Sequence, residues 1–214
     1  SFLWIDLMTQ NTTQKETHFY TIGISYKKAD ADMRGLFSLD QEHQERILSL
    51  AQEEGMEGLA IISTCNRTEL YGFAQHPFQL IQKLCAHSKA TLEDFEKVGY
   101  IYKNKEAINH LFSVGTGLDS QILGDFEVIS QLKKSFALAK KFNLINAFME
   151  RLLNCVIQAS KRIKNETELS SGATSVSFAS VQYIMQNVAD ISKKNILLFG
   201  TGKIGRNTCE NLIK

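Results

Sequence analysis

Residues 59–74 have the sequence LAIISTCNRTELYGFA, and this stretch decides the fold. The apolar run at 59–63 predicts a short buried strand, and residues 69–74 predict a second one. The segment between them, TCNRT, is polar. A polar segment between two strands is expected at the edge of a sheet, where functional side chains often lie.

Further strands and helices surround this pair. FYTIGISY (19–26) and VGYIY (98–102) predict two more strands. Ser38 and Gln41 form a capping-box signature that predicts a helix to about Glu54, and another helix is expected after Pro77. Residues 27–37 are expected to be a loop. The first hundred residues therefore predict an α+β fold with a four-stranded sheet and helices.

The remainder of the chain is predicted to be mainly helical. Apolar residues keep a 3.6-residue period from Asn104 to about residue 163, with a break at the glycines near 115–117. The polar stretch 164–174 resembles a linker, and residues 175–188 predict a connector helix. NILLFG (195–200) predicts a buried strand that is followed by a further helix.

A glycine motif follows this last predicted strand. Gly200, Gly202 and Gly205 form GxGxxG between a predicted strand and a predicted helix, the context of a dinucleotide-binding turn. Gly200 would allow the tight turn, Gly202 would let the backbone approach a pyrophosphate, and Gly205 would let helix and strand pack closely. The alternative is a glycine-rich turn of an unrelated α/β protein.

Composition excludes several classes of protein. Twenty-four Lys and Arg face 23 Asp and Glu, 43% of residues are hydrophobic, and there is a single Pro. A largely disordered, collagen-like or low-complexity chain is therefore excluded. The net charge of +1 does not indicate a broad basic surface for nucleic acid. No apolar run reaches the roughly 20 residues of a membrane helix, and no signal peptide is recognisable.

The four cysteines differ in their surroundings. Cys65, Cys85, Cys155 and Cys209 lack the spacing of a zinc site or a disulfide scaffold, so free thiols of a cytoplasmic protein and no metal are predicted. Cys65 lies in TCNRT, where an extended backbone would turn it and Arg67 to the same side. A nearby guanidinium favours the nucleophilic thiolate. The alternative for Cys65 is a small buried residue at a strand end.

A third candidate segment is HLFSVGTGLDSQILGD (110–125). His110 lies near the apolar side of its helix and is either a core histidine or a proton donor to an acyl intermediate on Cys65. Ser120 is either a helix cap or a ligand contact. Asp125 is expected to cap the following helix.

Taken together, STCNRTELY, HLFSVGTGLDSQILGD, ETELSSGATSVSFASV and GTGKIG closely resemble glutamyl-tRNA reductases over residues 18–214. The resemblance implies that Cys65 is the nucleophile that attacks the ester of glutamyl-tRNA, and that NADPH reduces the resulting thioester to glutamate-1-semialdehyde for tetrapyrrole (porphyrin) synthesis. It also implies that Thr64 and Arg67 flank the glutamyl pocket.

Other positions take their roles from the same resemblance. Arg34 matches the family's loop arginine that pairs with the substrate carboxylate, although its residue type alone suggests a solvated charge. His110 matches a histidine near the thioester, and Ser120 matches the serine of GLDS. Asp125 and Glu127 depart from the family's Gly-Glu-x-Gln-Ile, so no binding role is carried over to them.

The resemblance implies a division of the chain into four parts: an extension (1–17) outside the fold, a catalytic domain (18–165), a linker with a connector helix (166–192), and the truncated start of a Rossmann-like NADPH-binding domain (193–214). The chain alone is therefore expected to lack full reductase activity. The implied partners are glutamyl-tRNA, the downstream glutamate-1-semialdehyde aminomutase and a second copy in a homodimer. Two alternatives remain: a non-catalytic module that binds tRNA or another partner, and an unrelated cysteine hydrolase that uses His110.

Overall fold

The computed structural model describes residues 16–121, 123–167 and 176–213. The chain divides into two compact units. The first comprises the residues up to Ala107 together with Ser135–Asn146, and the second comprises Ile108–Lys134 and the residues from Ala147 onward. The predicted domain boundaries stay predictions, and residues 1–15 and 168–175 lie outside the described ranges.

The first unit contains a four-stranded antiparallel sheet. Its strands are β1 (His18–Ser25), β2 (Leu59–Ser63), β3 (Arg67–Ala74) and β4 (Tyr100–Lys103), in the order β2-β3-β1-β4. Apolar residues such as Ile22 and Leu70 are fully buried. Almost every residue of β1, β2 and β3 is buried, so these strands are covered on both faces, and only the edge strand β4 alternates between half-buried and exposed residues. The predicted α+β class with a four-stranded sheet is therefore confirmed.

Four helices pack against this sheet: α1 (Ala31–Phe37), α2 (Gln41–Glu53), α3 (Phe78–Ala86) and α4 (Leu92–Val98). Helix α1 corrects the prediction of a loop at 27–37. Asp30 caps it by accepting a hydrogen bond from the Met33 backbone N–H at 2.8 Å, and Phe37 is fully buried. One cap and one buried aromatic residue thus stabilise a helix too short to show a clear period.

The predicted capping box at Ser38 is also wrong. Ser38 is the C-cap of α1, and the N-cap of α2 is Asp40, whose carboxylate accepts a hydrogen bond from the His43 backbone N–H at 2.9 Å. Because Ser38 ends one helix, the next helix begins only after the chain has turned at Leu39. Helix α4 does begin with a capping box, which Thr91 and Asp94 form.

The remaining helices are α5 (Lys105–Gly115), α6 (Glu127–Lys141), α7 (Ala147–Glu166), α8 (Val176–Asn187) and α9 (Lys203–Ile213). Within the second unit, a Cβ atom on Gly115 would lie 2.2 Å from Val156, so glycine permits close packing of α5 on α7. Asp125 accepts a hydrogen bond from the Glu127 backbone N–H at 2.9 Å, but α6 begins at Glu127, so Asp125 lies one residue before the N-cap position that was predicted for it. None of the described helices is long and apolar enough to cross a bilayer.

The predicted strand at 195–200 is not formed. Residues 194–200 have no regular secondary structure, and Leu197 and Phe199 are 79% and 90% exposed. A strand exists by pairing with another strand. The described part of the chain offers this segment no partner, whereas the predicted helix after it is observed as α9.

Candidate active site

Cys65 lies at the tip of the hairpin that joins β2 to β3. The Thr64 backbone N–H donates to the Arg67 carbonyl at 2.8 Å, which leaves Cys65 and Asn66 as the two turn residues. The backbone bends at both of them, so the extended path predicted through Cys65 to Arg67 is wrong. The bend leaves Cys65 exposed, whereas Arg67 is only 3% exposed.

Thr64 stabilises the backbone of this turn. Its hydroxyl oxygen accepts hydrogen bonds from the Asn66 and Arg67 backbone N–H groups, each at 3.2 Å. A threonine that accepts from amides two and three residues later is a recurrent means of fixing a tight turn. Thr64 thereby presents Cys65 in a defined conformation.

Arg34 fastens the same turn from helix α1. Its Nε donates to the Cys65 carbonyl at 2.9 Å, and its Nη1 donates to the Ala29 carbonyl at 2.6 Å. Arg34 thus lies on a helix instead of the predicted loop, next to the backbone of the candidate nucleophile. Among the described residues no hydrogen bond is formed by its Nη2.

Replacement of Arg34 tests how much its two hydrogen bonds contribute to the stability of the protein. We expect Arg34→Gln to lower the free energy of unfolding by about 1 kcal/mol, because two charge-assisted hydrogen bonds to backbone carbonyls are lost at a half-exposed position. Urea denaturation measures the change. Arg46→Gln is the control, since Arg46 is exposed and makes an (i, i+4) pair with Glu42, worth less than about 0.5 kcal/mol. Equal losses in both variants would contradict the anchoring role.

His110 and Ser120 belong to the second unit. His110 lies half-buried on α5, and Ser120 follows the turn Thr116–Asp119 at a half-buried position. Gly117 has a φ of +76° and its carbonyl accepts from the Gly124 backbone N–H at 3.0 Å, so the loop closes on itself. The roles of His110 and Ser120 stay predictions.

The glycine motif before α9 has the backbone features that a dinucleotide turn requires. Gly200 has a φ of +103°, and a Cβ on Gly205 would lie only 2.1 Å from the Gly200 carbonyl oxygen. A Cβ on Gly202 would meet no heavy atom within 4 Å, so the backbone is open to a ligand there. The predicted tight turn is therefore observed, and the open backbone at Gly202 leaves room for a dinucleotide. The close approach at Gly205 is to the turn itself, because the strand predicted to pack there is not formed, and the binding roles of the three glycines stay predictions.

Sequence reasoning missed a buried polar cluster behind the hairpin. Glu69 is fully buried and accepts hydrogen bonds from Arg67 Nη1, at 2.8 Å, and from the hydroxyls of Tyr71 and Tyr100. Burial raises the pKa of Tyr71 and of Tyr100 well above the usual value, and the Glu69 charge raises both further. An acidic residue inside the apolar strand ELYGFA was the available signal. These four residues form the Glu69 cluster.

The two tyrosines should make the protein sensitive to alkali. Below about pH 10 both tyrosines are protonated in the folded and the unfolded chain. Above that pH the unfolded chain releases protons that the folded chain keeps, so stability falls as the pH rises through the raised pKa values. We expect Tyr71→Phe together with Tyr100→Phe to flatten this decline, measured as urea midpoints from about pH 8 to 11. An equally steep decline of the urea midpoint in wild type and variant would contradict the attribution of this decline to Tyr71 and Tyr100.

An exposed cysteine on a mixed sheet-and-helix domain that is followed by a dinucleotide-like turn is the combination expected of an oxidoreductase with a cysteine nucleophile. The family model for the glutamyl-tRNA(Glu) reductase N-terminal domain matches residues 22–167. The chain therefore belongs to the glutamyl-tRNA reductase family. It is 71% identical over 197 residues to a glutamyl-tRNA reductase from Christiangramia forsetii (92% of this chain, 47% of the relative).

Two further comparisons are consistent with membership of this family. A glutamyl-tRNA reductase from Flavobacterium psychrophilum is 68% identical over 207 residues, covering 97% of this chain and 50% of the relative. The solved structure of glutamyl-tRNA reductase from Methanopyrus kandleri matches 91% of this chain and 46% of that chain, with a TM-score of 0.65 and 23% identity. That structural likeness supports the fold. The chain spans about half the length of the curated relatives it matches.

Proposed function

We propose that this chain carries the thioester-forming part of an NADPH-dependent glutamyl-tRNA reductase. The observation that carries the proposal is the exposed position of Cys65 at a hairpin tip fastened by Thr64 and Arg34, in a chain of this family. An exposed thiol on a fixed backbone suits a nucleophile, because the reacting sulfur must approach a carbonyl carbon in a defined direction.

In the proposed reaction the Cys65 thiolate attacks the ester carbonyl that joins glutamate to tRNA. The carbon–oxygen bond to the tRNA ribose breaks, the tRNA leaves with its hydroxyl restored, and a glutamyl thioester remains on Cys65. His110 supplies the proton to the leaving oxygen. Arg34 Nη2 pairs with the substrate carboxylate, and Thr64 and Arg67 flank the glutamyl group. For Ser120 we propose the ligand contact that the family motif GLDS implies.

The turn of Gly200, Gly202 and Gly205 would hold the pyrophosphate of NADPH at the start of α9. When bound, NADPH supplies the hydride that reduces the thioester to glutamate-1-semialdehyde. Because the product has a reactive aldehyde, we also propose that it is transferred to an aminomutase in tetrapyrrole synthesis. We further propose that the reductase is a homodimer and that it is located in the cytoplasm. The four free cysteines agree with the latter.

The alternative of a non-catalytic module of the same fold is less well supported. That alternative would be favoured by a buried Cys65, and Cys65 is exposed. We further propose that the chain by itself stops at the acylated cysteine or hydrolyses it, because a complete dinucleotide domain comprises several βα units.

Mapping of the acyl group tests the proposal. The chain is incubated with tRNA charged with labelled glutamate, quenched in acid and digested, and the modified peptide is identified by mass spectrometry. We expect one glutamyl group on Cys65 that hydroxylamine removes, as a thioester requires. Label on another residue, or none above that found with free glutamate, would overturn the proposal.

A further inference from the structure

We infer that Glu69 is a positioning residue that fixes the Arg67 guanidinium in the hairpin of Cys65, and that the Glu69 cluster thereby supports the preference, read directly by Arg34, for an aminoacyl group that bears a carboxylate. The inference rests on the proposed function, in which Arg67 flanks the glutamyl pocket. It assigns a task to Glu69, Tyr71 and Tyr100, which the proposed reaction does not use.

The sheet register brings the cluster together across three strands. Gly23 on β1 lies opposite Glu69 on β3 and opposite Tyr100 on β4. A Cβ on Gly23 would lie 2.8 Å from Glu69 Cγ, so only glycine leaves room for the glutamate side chain above β1. The gap at Gly23 thus allows the Tyr100 hydroxyl to reach Glu69 from the far side of the central strand.

Both oxygens of the Glu69 carboxylate are engaged. Oε1 accepts from Arg67 Nη1, at 2.8 Å, and from the Tyr100 hydroxyl, whereas Oε2 accepts from the Tyr71 hydroxyl. The carboxylate therefore cannot rotate without breaking a buried hydrogen bond. Because it is itself held from two strands, it fixes the position of the Arg67 nitrogen that it binds.

A purely structural role explains this arrangement less well. Buried ion pairs are often replaceable by apolar residues without loss of stability, since desolvation offsets their attraction. This pair lies at the first residues of β3, immediately after the turn that presents Cys65. Because Arg67 is only 3% exposed, it acts as a fixed support of the hairpin that carries Cys65, and the pairing with the substrate carboxylate stays with Arg34, whose planar fork discriminates by its orientation.

The preference for glutamyl-tRNA over glutaminyl-tRNA in acylation of Cys65 is the direct readout. Glu69→Gln keeps the shape but removes the charge that holds Arg67, and we expect the preference to fall by about 100-fold, the effect of a misplaced contact of about 1 Å. Tyr100→Phe removes one hydrogen bond to the same oxygen and should reduce the preference less. It also serves as the second variant if Glu69→Gln does not fold.

Thr21→Val is the matched control. Thr21 lies two residues from Gly23 on the same strand, is fully buried, and its hydroxyl has no hydrogen-bond partner in the described structure. The substitution therefore changes a buried polar group beside the cluster without removing a contact, and the preference should stay unchanged. A fall equal to that of Glu69→Gln would show a general effect of perturbing the sheet and would overturn the inference.

A substrate-free measurement separates this inference from the proposed function. Slowly exchanging guanidinium N–H signals of Arg67, observed by nitrogen-15 NMR, should be present in wild type and Thr21→Val and be lost in Glu69→Gln. Wild type that is not acylated by glutamyl-tRNA refutes the proposed function alone. Arg67 signals that persist in Glu69→Gln, or an unchanged substrate preference in that variant, refute the positioning role.

Discussion

Gly23→Ala is expected to destabilise the protein by about 3 kcal/mol or more, at the upper end of what overpacking costs. The new Cβ would lie 2.3 Å from the Thr68 carbonyl oxygen and 2.8 Å from Glu69 Cα. Both are backbone atoms of β3, so relief requires separation of β1 from β3 at the centre of the sheet. It would also displace the Glu69 side chain from its bonds. Urea denaturation followed by circular dichroism measures the loss.

Gly35→Ala is the control for this substitution. Gly35 lies in α1, and a Cβ there would meet no heavy atom within 4 Å. Alanine favours a helix over glycine by up to about 1 kcal/mol, so this variant should be as stable as wild type or slightly more stable. If Gly23→Ala unfolds at the same urea concentration as Gly35→Ala, the close approach of β1 to β3 is not as described.

Local patterns predicted the sheet because each strand carries its own signal. The run at 59–63 forms β2 with the predicted bounds, and the helix expected after Pro77 is observed as α3. Errors arose where neighbouring elements compete. Helix α4 continues to Val98, so β4 begins at Tyr100, and β3 begins at Arg67 because that residue pairs with Ser25 of β1.

The candidate site was predictable only in part for a similar reason. The polar setting of Cys65 indicated an exposed residue, and this local feature is observed. The contact of Arg34 with the Cys65 carbonyl joins residues 31 positions apart, and the bond of Tyr100 to Glu69 spans the same number. Such contacts depend on strand order and register, which single-strand patterns do not specify.

The segment 195–200 is a case in which the local pattern is present but the predicted strand does not form. Its apolar run satisfies every local rule for a buried strand, yet it is exposed and irregular. The turn after it nevertheless has the positive φ of Gly200 and the close approach at Gly205. Turn geometry is therefore specified by the glycines themselves, whereas a strand needs a partner.

Cys65→Ser is expected to reduce transfer of glutamate from tRNA to the protein at least about a thousandfold, because a hydroxyl without an adjacent base is a far weaker nucleophile than a thiolate. Stability should hardly change, since the Cys65 side chain is exposed and the turn is held through backbone groups and Thr64. Cys155→Ser alters another exposed cysteine, on α7, and should acylate at the wild-type rate. Rapid-quench measurement of the protein-bound glutamyl group compares the three proteins. Retained transfer in Cys65→Ser, or loss in Cys155→Ser, would assign the nucleophile elsewhere.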